Sequence, residues 1–316
     1  MEGIKSGVIK VKEERFVPAY RKLSDREFRD KIEAARGILA ECRLCPRECG
    51  VNRLEGDVGV CRCGLQIKVS SAGPHFGEEP ELVGIGGSGT IFLTSCNLKC
   101  IFCQNYEISW LGEGYGCSIE SVAQMMLSLQ RRGCHNINLV TPTHFMPQLL
   151  EAIYLASKEG LELPIVYNCG GYESLEALRI LDGVVDIYMP DLKYGDNAPG
   201  ARYSGVKDYF DRAKEAIKEM HRQVGDLKVD RFGIAKRGLI IRHLVMPNNV
   251  ARTDKVLKFI ASEISPHSYV NVMDQYRPTF RANLYPEINR RITRSEYLEA
   301  LSLAKSLIVW HPEREG

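Results

Sequence analysis

The sequence predicts an α/β protein built as a partial, open (β/α)6 TIM-like barrel with an N-terminal cysteine-rich metal-binding extension. Three observations predict it. From residue 91 onward, apolar strand-like runs alternate with amphipathic helical stretches, the sign of a parallel sheet with crossover helices. Six such runs occur, short of the eight that close a complete barrel, which leaves one side open to a large substrate. Ahead of them, four cysteines crowd residues 42 to 61 among glycines and a proline that suit tight turns.

The chain has 316 residues and 44% hydrophobic content, enough to bury a sizeable core. It divides into residues 1–87, an N-terminal helix and four-cysteine metal module, and residues 88–316, a core barrel with a C-terminal helix. A formal net charge of +2 gives no electrostatic footprint for nucleic acid. Met1 to Gly7 lacks the apolar core of a signal peptide, and no run approaches transmembrane length, so a cytoplasmic protein without membrane association is expected. Eleven cysteines in such a chain read as metal ligands before disulfides, because cytosolic buffers keep thiols reduced.

Residues 1 to 22 are charged and irregular. A helix is expected over residues 24 to 41, where Ser24 can cap and Phe28, Ile32, Ala35 and Ile38 follow helical spacing. Cys42, Cys45, Cys49 and Cys61 then form C-x2-C-x3-C-x11-C, a four-thiol metal site with Cys63 as a substitute for Cys61. Zinc and an auxiliary [4Fe-4S] cluster both take four thiolates, so ligand count leaves the metal open. Residues 65 to 87 read as a loop or hairpin, with Glu78 and Glu79 in solvent.

Ile91 to Leu93 is the first barrel strand. Next come a helix capped by Ser118 and closed by Gly133, the strand Asn136 to Val140, a helix opened by Pro147, and the strand Leu163 to Tyr167. Ser174 to Leu181 is helical, and Val184 to Met189 a strand. A helix near Val206 to Arg222, the strand Gly238 to Met246, a helix capped at Thr253 and the strand Tyr269 to Met273 complete the alternation. Thr293 and Glu296 are spaced as a capping box for a last helix that packs against the barrel's edge.

Directly after the first strand stand Cys96, Cys100 and Cys103, spaced C-x3-C-x2-C on the loop leaving its C-terminal end. Three thiolates can hold three irons of a [4Fe-4S] cube and leave the fourth iron open for a ligand; structural zinc prefers four closed ligands. This spacing, with Phe102 before the last cysteine, resembles the signature of the radical S-adenosylmethionine (SAM) superfamily. The resemblance implies that the open iron takes the amino and carboxylate groups of SAM, and that one electron cleaves SAM to methionine and a hydrogen-abstracting 5'-deoxyadenosyl radical. It also implies that Phe102 flanks the adenine.

In parallel α/β architectures the reactive groups lie at the strands' C-terminal ends. Under the resemblance, Thr141 and Thr143 offer hydroxyls and carbonyls to the SAM ammonium, where many relatives carry Gly-Gly-Glu, and Asn168 binds ribose or carboxylate. Asp191 and Lys193, as Asp-x-Lys, resemble the strand-end pair that orders the SAM carboxylate in activating enzymes of glycyl radical enzymes. Arg242 and His243 share a strand, so one faces the barrel and the other the helices. His243, Asp274, Gln275 and Arg277 are candidate substrate contacts. Cys169 reads as an inert thiol near the mouth, and Cys117 and Cys134 as structural.

Cys-x-Leu-Cys-Pro-Arg-x-Cys-Gly-Val-Asn-Arg, Gly-Ser-Gly-Thr-Ile-Phe, Cys-Gln-Asn-Tyr-Glu-Ile-Ser, Asn-Ile-Asn-Leu-Val-Thr-Pro-Thr-His and Met-Asp-Gln-Tyr-Arg-Pro together resemble the pyruvate formate-lyase activating enzyme-like branch. That resemblance implies a radical SAM oxidoreductase, an electron donor such as ferredoxin or flavodoxin, and a partner protein whose glycine loses a hydrogen atom. Modification of a peptide or small molecule, and a non-catalytic electron carrier or zinc-stabilised interaction protein, are the alternatives.

Overall fold

The computed structural model describes residues 16–308. The start read for a signal peptide, Met1 to Gly7, lies outside them. Among the described residues, nine strands form one mixed sheet: β1 Ile67–His75, β2 Ser88–Leu93, β3 Tyr115–Cys117, β4 Ile137–Val140, β5 Ile165–Cys169, β6 Ile187–Pro190, β7 Lys228–Val229, β8 Ala235–Leu244 and β9 Tyr269–Met273. The order runs β3-β1-β2-β4-β5-β6-β8, with β9 and β7 both on β8. Six of these, β2, β4, β5, β6, β8 and β9, are parallel, matching the six expected barrel strands. β1, β3 and β7 are added antiparallel. β1 lies on the N-terminal side of the expected boundary at residue 87, yet it pairs along its length with β2 on the other side.

Nine helices accompany the sheet among the described residues: α1 Asp25–Gly37, α2 Pro80–Val83, α3 Ile119–Arg131, α4 Met146–Lys158, α5 Leu175–Leu181, α6 Asn197–Ser204, α7 Tyr209–Val224, α8 Thr253–Phe259 and α9 Arg294–Leu307. Local chemistry starts many of them. Ser24 and Glu27 form a reciprocal capping box on α1, and Thr293 and Glu296 form another on α9. Ser118 caps α3 through the Ser121 amide. Thr253 does not cap α8, because Arg252 occupies that position in left-handed backbone and the Thr253 hydroxyl is engaged by His243 at 2.9 Å. No described helix is long and apolar enough to cross a membrane.

The N-terminal segment straps the barrel from end to end. Ala19 N–H donates to Asp186 at 2.7 Å, and the Tyr20 hydroxyl donates to the Leu163 carbonyl at 3.0 Å, both just before strand starts. α1 then lies on α4 and α5, burying Phe28 against Tyr154 with ring centroids 5.2 Å apart. It delivers Cys42 to the opposite end, where the strands terminate.

α2 fills the floor of the barrel. Leu82 is fully buried and packs with Val166, Ile187, Met189, Ile240 and Tyr269, the inward-facing residues of β5, β6, β8 and β9. The residues before it are not solvated as expected. Glu79 is 3% exposed and accepts from Asn271 Nδ2 at 2.8 Å, while Glu78 lies 3.4 Å from Arg242. An open six-stranded barrel leaves interior volume that side chains must fill. Opposite charge and a donor amide draw these carboxylates inward.

Candidate active site

β2 ends at Leu93, and the cysteine loop leaves it through Ser95, held at φ +71°. Backbone bonds pin this loop onto α6: Lys99 N–H to the Ser204 carbonyl at 3.1 Å, and Ile101 N–H to the Tyr203 carbonyl at 2.9 Å. Each thiol has a hydrogen-bonding neighbour. Leu98 N–H donates to Cys96 Sγ at 3.3 Å, Cys100 Sγ pairs with the Ser204 hydroxyl at 3.0 Å, and Cys103 Sγ pairs with the Ser109 hydroxyl at 3.1 Å. All three cysteines line one cavity of about 280 Å³, together with Phe102, Thr141, Asn168, Asp191, Lys193, Arg242 and Gln275. Phe102 is buried, packed against Tyr194 and Tyr276.

A charged network lines the same cavity as the thiols. Arg242 donates to Asp191 at 2.8 Å and to the Asn168 side-chain oxygen at 2.7 Å, and Lys193 donates to the other Asp191 oxygen at 2.6 Å. Burial opposes the charge on Asp191, but Arg242 and then Lys193 outweigh it and hold the carboxyl below its ordinary range. Burial likewise disfavours charge on Lys193, and Asp191 more than compensates. Gly171 makes the close packing possible: at φ +76° its absent Cβ would stand 2.6 Å from the Asp191 carbonyl oxygen.

Thr141, Asn168, Asp191, Lys193, Phe102 and Gln275 therefore share the cavity with the three cysteines. Four other candidates stand elsewhere. Thr143 is buried and donates to Glu173 at 2.8 Å. His243 faces the helices, between the Leu192 carbonyl at 2.7 Å and Thr253, and burial pushes its imidazole down to about 4. Asp274 and Arg277 do not line the cavity; Gln275, between them on the strand's exit, does. Cys169, read as inert, is buried but forms part of the wall. Arg242 is the member that sequence left undecided, and strand alternation turns it inward in place of His243.

The four-cysteine module packs against the same loop from behind. Cys42 N–H donates to the Val51 carbonyl at 3.0 Å and Gly50 N–H to the Cys42 carbonyl at 3.2 Å, closing a turn around Cys45 and Cys49. Cys42, Cys45, Cys49 and Cys61 line one small cavity with Arg47, Arg53, Asn97 and His144. Cys63 lies beside Cys61, its thiol donating to the Cys61 carbonyl at 3.5 Å, and does not line that cavity. The Cys49 sulfur occupies the space where a Cβ on Gly59 would lie, 2.6 Å away.

The model of the radical SAM superfamily matches residues 90–233. The uncharacterized protein MJ0674 of Methanocaldococcus jannaschii is 38% identical over 284 residues, covering 87% of this chain and 77% of the relative. The chain belongs to the radical SAM superfamily. A second uncharacterized protein of that organism, MJ0808, is 22% identical over 312 residues, covering 92% and 80%. Streptococcus suis SuiB bound to S-adenosylmethionine aligns with a TM-score of 0.44 at 12% identity, over 66% of this chain and 45% of that one. The FeFe-hydrogenase maturase HydG from Carboxydothermus hydrogenoformans aligns at 0.46 and 13%, over 68% and 50%. This chain spans about half the length of each, and the likeness says nothing about substrate.

A radical SAM protein carries a [4Fe-4S] cluster, and the residues present suit one. Their donors are three soft thiols, each with a hydrogen-bonding neighbour that can offset negative charge on sulfur. Burial pushes the Cys96 thiol up to about 12, so the sulfur gives up its proton against iron rather than to water. A cubane takes each thiolate on a separate iron. Cys96, Cys100 and Cys103 would hold it, and when bound it supplies the electron that cleaves SAM. The chain's own part is to close the cavity with Phe102 and to fix charge and hydrogen bonds through Asn168, Asp191, Lys193 and Arg242.

Proposed function

We propose that this radical SAM enzyme is activase-like: it draws an electron from a ferredoxin- or flavodoxin-type donor, cleaves SAM, and abstracts a hydrogen atom from a glycine of a partner protein. The observation that carries the reading is the Asp191–Lys193 pair, 2.6 Å apart and lining one cavity with the three cysteines. That strand-end pair resembles the one in activating enzymes of glycyl radical enzymes. Cys42, Cys45, Cys49 and Cys61 hold a second metal centre in this reading, an auxiliary [4Fe-4S] cluster or zinc.

The experiment is run without oxygen. Iron and sulfide are reconstituted, the protein is reduced, and 5'-deoxyadenosine is assayed while the EPR spectrum is recorded with and without SAM. A SAM-dependent spectral change with 5'-deoxyadenosine release supports the chemistry. Deuterium passing from a glycine-labelled partner into 5'-deoxyadenosine then identifies the donor; label transfer from a peptide or small molecule alone removes the activase assignment.

A further inference from the structure

An aromatic cluster is tied to the cysteine loop. Trp110 donates its indole N–H to the Cys100 carbonyl at 2.9 Å, so its ring stands one hydrogen bond from a residue read as a cluster ligand. Phe280 packs on Trp110 with ring centroids 5.1 Å apart, and Tyr106 stacks on Phe280 at 5.0 Å. Backbone bonding fastens the segment that brings Phe280 here, since Arg281 N–H donates to the Ile101 carbonyl at 2.9 Å. Phe280 itself holds φ +56°, a left-handed conformation that a bulky residue keeps only when its surroundings compel it. All three rings are half-buried, so each leaves part of its surface to solvent.

Cations surround the rings. Lys99 lies 5.4 Å and Arg281 5.3 Å from the Trp110 ring centre, within cation–π range, and Arg62 donates to the Trp110 carbonyl at 3.4 Å. Both arginines are exposed. Among the described residues no carboxylate forms an ion pair with any of these three cations. The nearby acids, Glu107 and Glu113, act on Tyr106. Leu111 follows Trp110 in the chain and Leu284 follows Arg281 by three residues; they are 62% and 66% exposed. Unpaired cations beside exposed apolar and aromatic groups have the composition of a protein-docking surface, where aromatic side chains and arginine are enriched.

We propose that this patch docks a small acidic flavoprotein of the flavodoxin class, which delivers its electron to the cluster beside Cys100. This rests on the reading of Cys96, Cys100 and Cys103 as ligands of that cluster. Charge complementarity selects an acidic partner, because Arg62, Lys99 and Arg281 offer positive charge that no carboxylate of this chain neutralises. The rings select a flavin. A flavodoxin presents the apolar edge of its flavin ringed by carboxylates, the counterpart of Trp110 and Phe280 ringed by cations. The bond from Trp110 to Cys100 selects an electron carrier over other acidic proteins, because electron transfer falls steeply with distance and this surface is attached to a cluster ligand. The reduced flavin gives up one electron and the oxidised cluster takes it, with no covalent bond formed or broken.

The test uses the full-length protein, reconstituted with iron and sulfide without oxygen. Binding of an FMN flavodoxin is measured by calorimetric titration at low and high salt. Wild type is compared with an Arg62→Glu/Arg281→Glu variant and with a Lys228→Glu/Lys258→Glu control, which makes the same charge change at exposed lysines elsewhere. Wild type and control should bind, less tightly as salt rises, and the arginine variant should bind about tenfold more weakly at low salt with little salt dependence. Reduction of the cluster by flavodoxin should slow about tenfold in that variant while reduction by dithionite keeps its wild-type rate. Unchanged binding in the arginine variant, or equal weakening in the control, overturns the docking surface. Binding of ferredoxin but not flavodoxin, lost in the same variant, overturns the flavin occupant. Should the double variant fail to hold iron, Arg62→Gln and Arg281→Gln singly should each weaken flavodoxin binding about threefold; unchanged affinity in both overturns the proposal. If SAM alters the EPR spectrum of none of these proteins, it is the SAM-cleaving assignment that fails.

Discussion

Arg242 donates to Asp191 at 2.8 Å at the barrel's mouth, where a parallel backbone bridge sets the residue just past the end of β6 beside β8. One guanidinium thereby fixes Asp191, Asn168 and, more loosely, Glu78. Removing it takes the ion-pair partner from Glu78 and leaves Asp191 with Lys193 alone. Arg242→Ala should cost about 3 kcal/mol or more of stability, the usual penalty for breaking a buried pair, and weaken SAM binding. Arg242→Lys should recover part of the stability and little of the geometry, since an ammonium cannot reach three partners in one plane. Thermal unfolding and calorimetric SAM titration read both effects; an alanine variant matching wild type in each would take Arg242 out of the site.

Ser204 offers its hydroxyl to Cys100 Sγ at 3.0 Å and to Tyr194 at 2.9 Å. Hydrogen bonds to cluster sulfurs stabilise the reduced, more negative state. Ser204→Ala should therefore shift the SAM-cleaving cluster to more negative potential without loss of iron. A redox titration followed by EPR measures it, and an unshifted midpoint would mean the hydroxyl serves Tyr194 alone.

Glu173 is buried, and burial pushes its carboxyl up to about 8 from 4.5 despite bonds from Thr143 and Tyr167. The folded state holds this proton more tightly than the unfolded chain. Its contribution is fully present below about 4.5 and is lost as pH rises towards about 8. Glu173→Gln should flatten the decline in stability between these values, by up to about 1.4 kcal/mol per pH unit. Parallel slopes in urea unfolding from pH 5 to 8 would show that the carboxyl is ionised in the fold. Asp186, pushed up to about 7 by burial, adds its own slope and remains in both proteins.

Cys61 borders the four-thiol cavity, whereas Cys63 bonds back to the Cys61 carbonyl. Cys61→Ala should lose the second centre's metal, and Cys63→Ala should keep most of it. Metal and sulfide analysis of the two purified variants decides between them; equal loss would show that both cysteines are required, and equal retention that either can serve.

The six parallel strands were legible because each is an apolar run, and caps such as Ser118 and Thr293 mark some of the helices between and after them. The three cysteines were legible from spacing alone. β3 and β7 span three and two residues, too short for any period to appear. The phase of β8 was hidden because Leu239, Ile240 and Ile241 are all buried, so both faces of the strand are apolar and nothing distinguishes the side Arg242 takes. Glu78 and Glu79 looked like loop carboxylates because their partners, Arg242 and Asn271, lie 164 and 192 residues away. No local pattern carries such contacts. Arg53 was hidden for the same reason, bonding His144 across 91 residues.

The docking of the cysteine module on later parts of the chain orders its assembly in time. Cys42 to Cys61 leave the ribosome first, but the surfaces that bury them come from the loops holding Asn97 and His144, and the strap's lower anchor is Asp186. At a synthesis rate of roughly 5–20 residues per second, the chain from residue 61 to residue 186 takes roughly 6 to 25 s to emerge. During that interval the four thiols have no scaffold to shield them, and oxidation to sulfenic acid or mispairing competes with metal loading. Pauses in translation beyond residue 61 should therefore lower the metal content of the finished protein, and low oxygen during synthesis should restore it.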